Sequence, residues 1–304
     1  METTDETDNT DGPDGTDGPD GTAGTSDGTA LVLGGGGPVG GAWLVGALAG
    51  LTEAGIDLGA ADVVIGASAG AIFGTRIAAG ESPQELYERQ LAGGDRVELG
   101  VTAAQTLRFL WAALSSRDPD RSARRLGRAA LRARTGPESE VLDTVGALLH
   151  GVRAWPGRRL RIAVVDAATG RPDVLDRDSG PSLVEAVAAS CAVPLVWPPV
   201  SAAGRRWMDG GSRETTPLDA ARGHRRILAL SPIPSPVGPH RHARAQAAAL
   251  TAEGSAVALL MPDATARRAM GRNMTANARR PDAARAGRAQ ALAAADEIAR
   301  TLKA

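Results

Sequence analysis

Residues 28–52 read GTALVLGGGGPVGGAWLVGALAGLT, a stretch without a single charged residue. Its length and apolar character match those of a membrane-spanning helix. However, four consecutive glycines at 34–37, followed by Pro38, would break such a helix, and a broken helix leaves backbone groups unsatisfied in lipid. The stretch therefore predicts a buried strand over residues 30–33, a glycine loop, and a helix over residues 41–54.

The same order of strand, turn and helix recurs immediately downstream. Residues 62–65, DVVI, predict a short buried strand, GASAG at 66–70 predicts a tight turn, and residues 71–79 predict a helix. Further strands are predicted at residues 160–165, 174–175, 195–200, 205–208 and 227–230, and helices at residues 81–150, 181–190 and from 241 onward. Strands that alternate with helices favour a mainly parallel sheet with helices on its faces.

Composition divides the chain into three parts. Residues 1–28 hold nine acidic residues and no Lys or Arg, which predicts a disordered acidic tail. Residues 29–231 carry the alternating strands and helices and form the predicted main domain. Residues 232–304 are rich in Ala and Arg and predict a helical extension packed on the same domain. The tail lacks a basic segment followed by an apolar core, so we expect no signal peptide and a cytoplasmic location.

The charges and the cysteine content limit the possible partners. Outside the tail, the chain has 26 acidic and 34 basic residues, an excess that suits an anionic partner or is simply a solvated surface. Nucleic acid is disfavoured because aromatic residues are not interleaved with the basic ones. The single cysteine, Cys191, excludes an internal disulfide, and four scattered histidines predict no metal site.

One segment combines apolar and basic residues. Residues 107–114, LRFLWAAL, precede seven arginines within residues 117–134. The pattern predicts either peripheral contact with an anionic membrane or, as is more common, a core helix beside a solvated one.

The glycine loop at residues 35–40 matches the pattern G-x-G-x-x-G between a strand and a helix. Such a loop can bind the pyrophosphate of a dinucleotide, or it can direct backbone amides at a developing oxyanion. A dinucleotide site requires an acidic residue at the end of the second strand. Here that strand ends in Gly-Ala-Ser, which favours the oxyanion loop.

The turn at residues 66–70 matches G-x-S-x-G, in which a nucleophilic serine lies between a strand and a helix. The flanking glycines allow a sharp turn, so Ser68 would project at the N terminus of its helix, where the helix dipole favours negative charge. The alternative is an ordinary glycine-rich turn with an inert serine.

A serine nucleophile needs a base, and two kinds are present in the sequence. Asp209 follows a predicted strand and precedes two glycines, a pattern that is also typical of a simple turn. A histidine is the other option, in a Ser–Asp–His triad of the α/β-hydrolase type. The histidines that follow Asp209 are His224, His240 and His242.

In this order, the glycine loop, the Ser68 turn and Asp209-Gly210-Gly211 resemble the motifs of the patatin-like phospholipase family over residues 29–231. The segments AASCAVP at 188–194 and WPPV at 197–200 are similar to the family sequence before its Asp-Gly motif. The resemblance implies a three-layer α/β/α sandwich with a mainly parallel sheet. It also implies a serine acyl hydrolase of phospholipase A type, acting on phospholipids or related lipids without metal or cofactor.

Carried over to this chain, the resemblance makes Ser68 the nucleophile and Asp209 the base. It assigns the oxyanion hole to Gly35, Gly36 and Gly37, and structural roles to the motif glycines Gly40, Gly66, Gly70, Gly210 and Gly211. Val39 stands where the family often has Arg or Lys, and Pro38 has no N–H to donate. Besides a triad esterase, the remaining rival is a non-enzymatic protein that binds a nucleotide or phosphate in its glycine turns.

Overall fold

A mixed sheet runs through the protein, for which a computed structural model describes residues 26–98 and 100–303. Its strands are β1 (Ser26–Leu33), β2 (Val63–Gly66), β3 (Arg159–Asp166), β4 (Pro172–Leu175), β5 (Val200–Ala202), β6 (Arg205–Asp209), β7 (His224–Leu230) and β8 (Ala256–Leu260). Their order is β5-β6-β3-β2-β1-β7-β8, with β4 also paired to β3. The five strands from β3 to β8 in this order are parallel, whereas β4, β5 and β6 pair antiparallel.

Helices cover both faces of the sheet. They are α1 (Gly37–Glu53), α2 (Ala69–Ala78), α3 (Pro83–Leu91), α4 (Ala103–Leu114), α5 (Pro119–Arg132), α6 (Glu138–Leu148), α7 (Leu183–Cys191), α8 (Ala243–Ala252), α9 (Ala264–Met270) and α10 (Arg280–Lys303). Within residues 26–98 and 100–303, none of the helices has the length and apolarity needed to cross a bilayer.

Alternation along the strands sorts the core into layers. Leu31 and Leu33 of β1 point into a large cluster that includes residues from α1, α2, α6, α7 and α10. Ala30 and Val32 point to the other face, where they pack with residues of α8. Because successive side chains in a strand point to opposite faces, the apolar residues 30–33 of β1 contribute to both layers. The protein is therefore the predicted three-layer α/β/α sandwich.

Helices α1 and α10 pack together at very close range. A Cβ placed on Gly46 of α1 would lie 1.9 Å from the carbonyl oxygen of Ala284, and one on Gly287 would lie 2.1 Å from that of Trp43. Residues 39–51 of α1 are all buried, which explains why residues 28–52 contain no charge. Helix α10 thus packs directly on α1, and both contribute to one hydrophobic core.

Two sequence expectations for secondary structure are wrong. The chain after residue 241 is not all helical, because residues 256–260 form β8, parallel to β7. Residues 195–199 do not form a strand, because Pro198 and Pro199 have no N–H for a ladder and Leu195 has a φ of +72°. Only residues 200–202 of that segment pair, as β5.

The ends of two predicted segments also differ. Helix α1 begins at Gly37 rather than at residue 41, because Pro38 is compatible with the first turn of a helix. The predicted disordered tail, residues 1–28, lies outside the described residues except for its last three, which begin β1.

Candidate active site

Ser68 lies in a sharp turn between the end of β2 and the start of α2. Its backbone has φ of +52° and ψ of −119°, a region that side-chain-bearing residues rarely adopt. The flanking glycines make the turn possible. A Cβ on Gly66 would lie 2.5 Å from the carbonyl oxygen of Gly70, and one on Gly70 would lie 2.0 Å from that of Leu33. The G-x-S-x-G pattern is therefore explained by close backbone packing.

A buried serine that the sequence did not single out holds this turn. The Ser68 amide donates a hydrogen bond of 2.9 Å to Oγ of Ser190, and that hydroxyl donates one of 2.7 Å to the carbonyl oxygen of Ala163. Ser190 is fully buried near the end of α7. The only available signal was its position in AASCAVP, one of the segments that resemble the family. Ser190 links the strained turn to the neighbouring strand β3.

The pairing of the strands brings Asp209 to Ser68. Strand β2 ends at Gly66, which pairs with Ile162, so β3 continues beyond β2. The antiparallel strand β6 returns along β3 and ends with Asp209 opposite Val164. The side chain of Ser68 lies beside the Asp209 carboxylate, and both residues line one cavity. Two residues 141 positions apart in the chain thus meet at the edge where β2 ends.

Burial sets the basicity of Asp209. The carboxylate is 6% exposed and accepts a 2.6 Å hydrogen bond from the Gly211 amide. Removal from water raises the pKa of Asp209 to about 6, against the lowering effect of the hydrogen bonds from Ser68 and Gly211. Asp209 is therefore ionised at neutral pH and is a stronger base than an exposed aspartate.

The predicted oxyanion glycines are not equivalent. The Gly34 amide donates to the Leu230 carbonyl at 2.9 Å, and the Gly35 amide donates to the Thr215 carbonyl at 2.7 Å. These two bonds tie the start of the loop to β7 and to the segment after β6. Because its N–H is already bonded, Gly35 supports the loop rather than supplying a donor.

Three other amides are free to receive an anion. Those of Gly36 and Gly37, in the loop, have no acceptor in the part of the chain that the structure describes, and neither has that of Ala69, directly after the serine. Gly36 and Gly37 line a cavity together with Ser68. Free amides beside a serine hydroxyl can stabilise negative charge on an oxygen bound there.

Val39 occupies the position at which the family pattern often has Arg or Lys. Its side chain is fully buried in the core. Its amide donates to the Met274 carbonyl at 3.0 Å, and the next amide, that of Gly40, donates to the Gly36 carbonyl at 2.9 Å. Backbone bonds and core packing therefore hold the loop here without a charged side chain.

Two mainly apolar cavities meet at Ser68. The first, of about 100 Å³, extends towards α2 and α6 and is lined by Ile72, Phe73, Val141, Val145, Leu148 and Trp197. The second, of about 200 Å³, includes Asp209 and is lined by Phe109, Pro194, Ile233 and Val237. An ester with apolar groups on both sides of its carbonyl fits this arrangement.

Cys191 lies beside the serine and the aspartate, which the sequence did not predict. It lines the first cavity with Ser68. Burial raises the pKa of the Cys191 thiol well above its usual range, and the nearby Asp209 charge adds to this, while a hydrogen bond with Ser68 acts in the opposite direction. The thiol therefore stays protonated, and a protonated thiol is a poor nucleophile.

The histidines of the proposed triad lie elsewhere. None of them lines either cavity at Ser68 within the described ranges. His224 contacts the Ala221 carbonyl oxygen at 2.9 Å, and His242 precedes α8 on the surface. Burial, together with the Arg213 charge, lowers the pKa of His240 to about 4, so this residue is neutral. Among the described residues, the Asp209 carboxylate shares a cavity with Ser68, and these histidines do not.

Comparisons with known proteins give one sequence match and several distant structures. A family model described as Patatin-like phospholipase matches residues 31–222. Among curated proteins, none matches the chain. VipD from Legionella pneumophila is 13% identical, with a TM-score of 0.45 over 90% of this chain and 67% of that one. The type III effector protein ExoU is 14% identical, with a TM-score of 0.41 over 90% of this chain and 54% of that one, so the chain spans about half of its length.

Proposed function

The chain belongs to the patatin-like phospholipase family, and from that premise we propose that it hydrolyses carboxylic esters of phospholipids or related acyl lipids through a Ser68–Asp209 dyad. The family supports an esterase-type lipid hydrolase. The observation that carries the finer proposal is the position of the Ser68 side chain beside a buried carboxylate, in one cavity and at a turn flanked by free amides.

The proposed reaction begins with proton transfer from Ser68 to Asp209. The Ser68 oxygen attacks the ester carbonyl carbon, and the amides of Gly36 and Gly37 donate to the oxygen that becomes negative. When the tetrahedral intermediate collapses, the alcohol leaves and takes the proton from Asp209. The acyl group remains on Ser68.

The second half of the reaction repeats this chemistry with water. Asp209 accepts a proton from a water molecule that attacks the acyl-enzyme, and the same amides hold the new oxyanion. Collapse releases the fatty acid and returns the proton to Ser68. The apolar cavity towards α2 and α6 is suited to the acyl chain, and the cavity that includes Asp209 to the leaving alcohol.

A fluorophosphonate probe tests this proposal, because it labels only a serine that a base activates. We expect covalent labelling at Ser68, located by mass spectrometry of the digested protein. Because Asp209 must be ionised to accept the proton and its pKa is about 6, the labelling rate should be constant above that pH. Below it, the rate should fall about tenfold per pH unit.

The controls separate the rival functions. Asp209→Asn should slow labelling at least about 100-fold and abolish the acid limb, whereas glutamine at His224 and His242 should leave the rate unchanged. Complete absence of labelling at Ser68 would favour a phosphate-binding turn with no activated hydroxyl. Undiminished labelling of Asp209→Asn would exclude the dyad.

Ser190 gives a second test, directed at the position of the nucleophile. Ser190→Ala should lower the free energy of unfolding by about 1–3 kcal/mol, because the Ser68 amide and the Ala163 carbonyl lose their partner. It should also lower kcat for ester hydrolysis more than it changes KM. The measurements are chemical denaturation and steady-state kinetics.

Ser255→Ala is the matched control for Ser190. Ser255 is also buried and donates to a backbone carbonyl, that of His224 at 2.8 Å, but it lies next to β8 and lines neither cavity. It should lose comparable stability without a change in kcat. Equal kinetic effects in the two variants would mean that Ser190 does not position the nucleophile.

A further inference from the structure

Helix α4 presents an apolar stripe to solvent. Leu107, Trp111 and Leu114 recur at intervals of four and three residues, so they share one face of the helix. Their exposed fractions are 68%, 74% and 60%. The sequence favoured a core helix for this segment. That prediction is wrong for the face that carries these three residues, because the face is exposed. Large apolar side chains that are exposed side by side mark an interaction surface.

The other face of α4 contacts the catalytic cleft. Phe109 lines the cavity that contains Ser68 and Asp209. The Gln105 side chain anchors the helix by donating to the Leu195 carbonyl oxygen at 2.8 Å. Helix α4 therefore lies between the cleft and solvent, with apolar side chains on both faces.

The segment at the rim of the cleft packs against α4. Val237, which is 41% exposed, lines the same cavity as Phe109. A Cβ on its neighbour Gly238 would lie 2.9 Å from the carbonyl oxygen of Ala113 in α4. The helix that carries the stripe therefore also borders the cleft.

A row of positive charge accompanies the stripe. Helix α4 contains no acidic residue, and α5 packs on it through a 2.7 Å hydrogen bond from Ser122 to the Ala113 carbonyl oxygen. The arginine row consists of the exposed residues Arg121, Arg124, Arg128 and Arg132 on one face of α5. In the described ranges, none of these four forms a salt bridge. The row lies opposite the face that α5 buries, so it points away from the body of the protein.

We propose that the α4 stripe and the arginine row of α5 form the docking surface for an anionic lipid bilayer. This inference rests on the proposed function, since a lipid hydrolase must reach a substrate that resides in a bilayer. The stripe enters the boundary between headgroups and acyl chains, while the arginines contact lipid phosphates. A basic row on α5, the helix that packs on α4, favours an anionic membrane over a second copy of the chain.

Vesicle flotation of the full chain tests the proposal. The Ser68→Ala background prevents hydrolysis of the lipids, and the vesicles contain phosphatidylcholine with or without phosphatidylglycerol. Replacing Leu107, Trp111 and Leu114 together with glutamine should weaken partitioning at least about tenfold. Because these side chains are exposed, the thermal melting curve should not change.

The arginine row is tested by the triple variant Arg124→Gln, Arg128→Gln and Arg132→Gln. It should weaken binding about 100-fold on anionic vesicles and have little effect on neutral ones. The matched control removes three charges from α8 and the end of α10 as Arg244→Gln, Arg300→Gln and Lys303→Gln. Because screening limits the reach of distant charges, this control should bind within about threefold of its parent.

The outcomes separate docking from catalysis. A chain that binds anionic vesicles through these residues but hydrolyses no ester would disprove the proposed function and support the docking surface. The docking surface would be disproved if the parent and both triple variants bound vesicles equally, or if the parent did not bind them. The docking surface would also be disproved if the parent were a dimer that the stripe variant converts to a monomer while vesicle binding is unchanged. The stripe would then contact a second copy of the chain.

Discussion

Replacing Ser68 with alanine is expected to reduce hydrolysis of a soluble short-chain ester at least about 10⁴-fold, because no acyl-enzyme can form. Asp209→Asn should cause a loss of similar order, since the amide cannot accept the serine proton. The double variant should be no slower than Ser68→Ala, because the two groups act as one unit. The measurement is kcat/KM of the purified proteins, with the folded state checked by circular dichroism.

A second serine at a helix N terminus supplies the control. Ser82 caps α3 in a capping box with Glu85 and lines neither cavity at Ser68. Ser82→Ala should lower stability by about 1 kcal/mol and leave kcat/KM unchanged. If the Ser68→Ala and Asp209→Asn losses multiply in the double variant, the two residues act independently and the dyad is wrong.

The two glycine turns show what the sequence alone could predict. Apolar runs that end in glycines specify strand, turn and helix locally, and β1 and β2 form at the predicted runs, although β1 begins four residues earlier and the first loop already ends at Gly36. The meeting of Ser68 and Asp209 depends on the pairing of Gly66 with Ile162 and of Asp209 with Val164. No local pattern encodes that register, so only the resemblance to a family predicted the pair.

For the same reason, the sequence could not predict features that depend on tertiary contacts. Ser190 looks like any small residue in an Ala-rich helix until its hydroxyl is seen between Ser68 and Ala163. Strand β8 reads AVALL in an Ala-rich region, where pairing with β7 overrides helix propensity. Periodicity shows that α4 has an apolar face, but not whether that face is covered.

Gly70→Ala should damage both the fold and the nucleophile, although it adds a single methyl group. The new Cβ would lie 2.0 Å from the Leu33 carbonyl oxygen and 2.8 Å from that of Gly34, both on the backbone. Relief requires α2 to move from β1 by more than about 1 Å. We expect a loss of about 3 kcal/mol in the free energy of unfolding, measured by chemical denaturation. Since Ser68 stands at the start of α2, kcat should fall about 100-fold.

Gly74→Ala, one turn further along α2, distinguishes this backbone clash from a general effect of alanine. There the added Cβ would meet the side chains of Val64 and Leu33 at 3.1 and 3.3 Å, which can shift slightly. Alanine also gains about 0.5–1 kcal/mol over glycine inside a helix, so the net change in stability should stay within about 1 kcal/mol. If Gly70→Ala matches Gly74→Ala in stability and kcat, close approach of α2 to the end of β1 does not position Ser68.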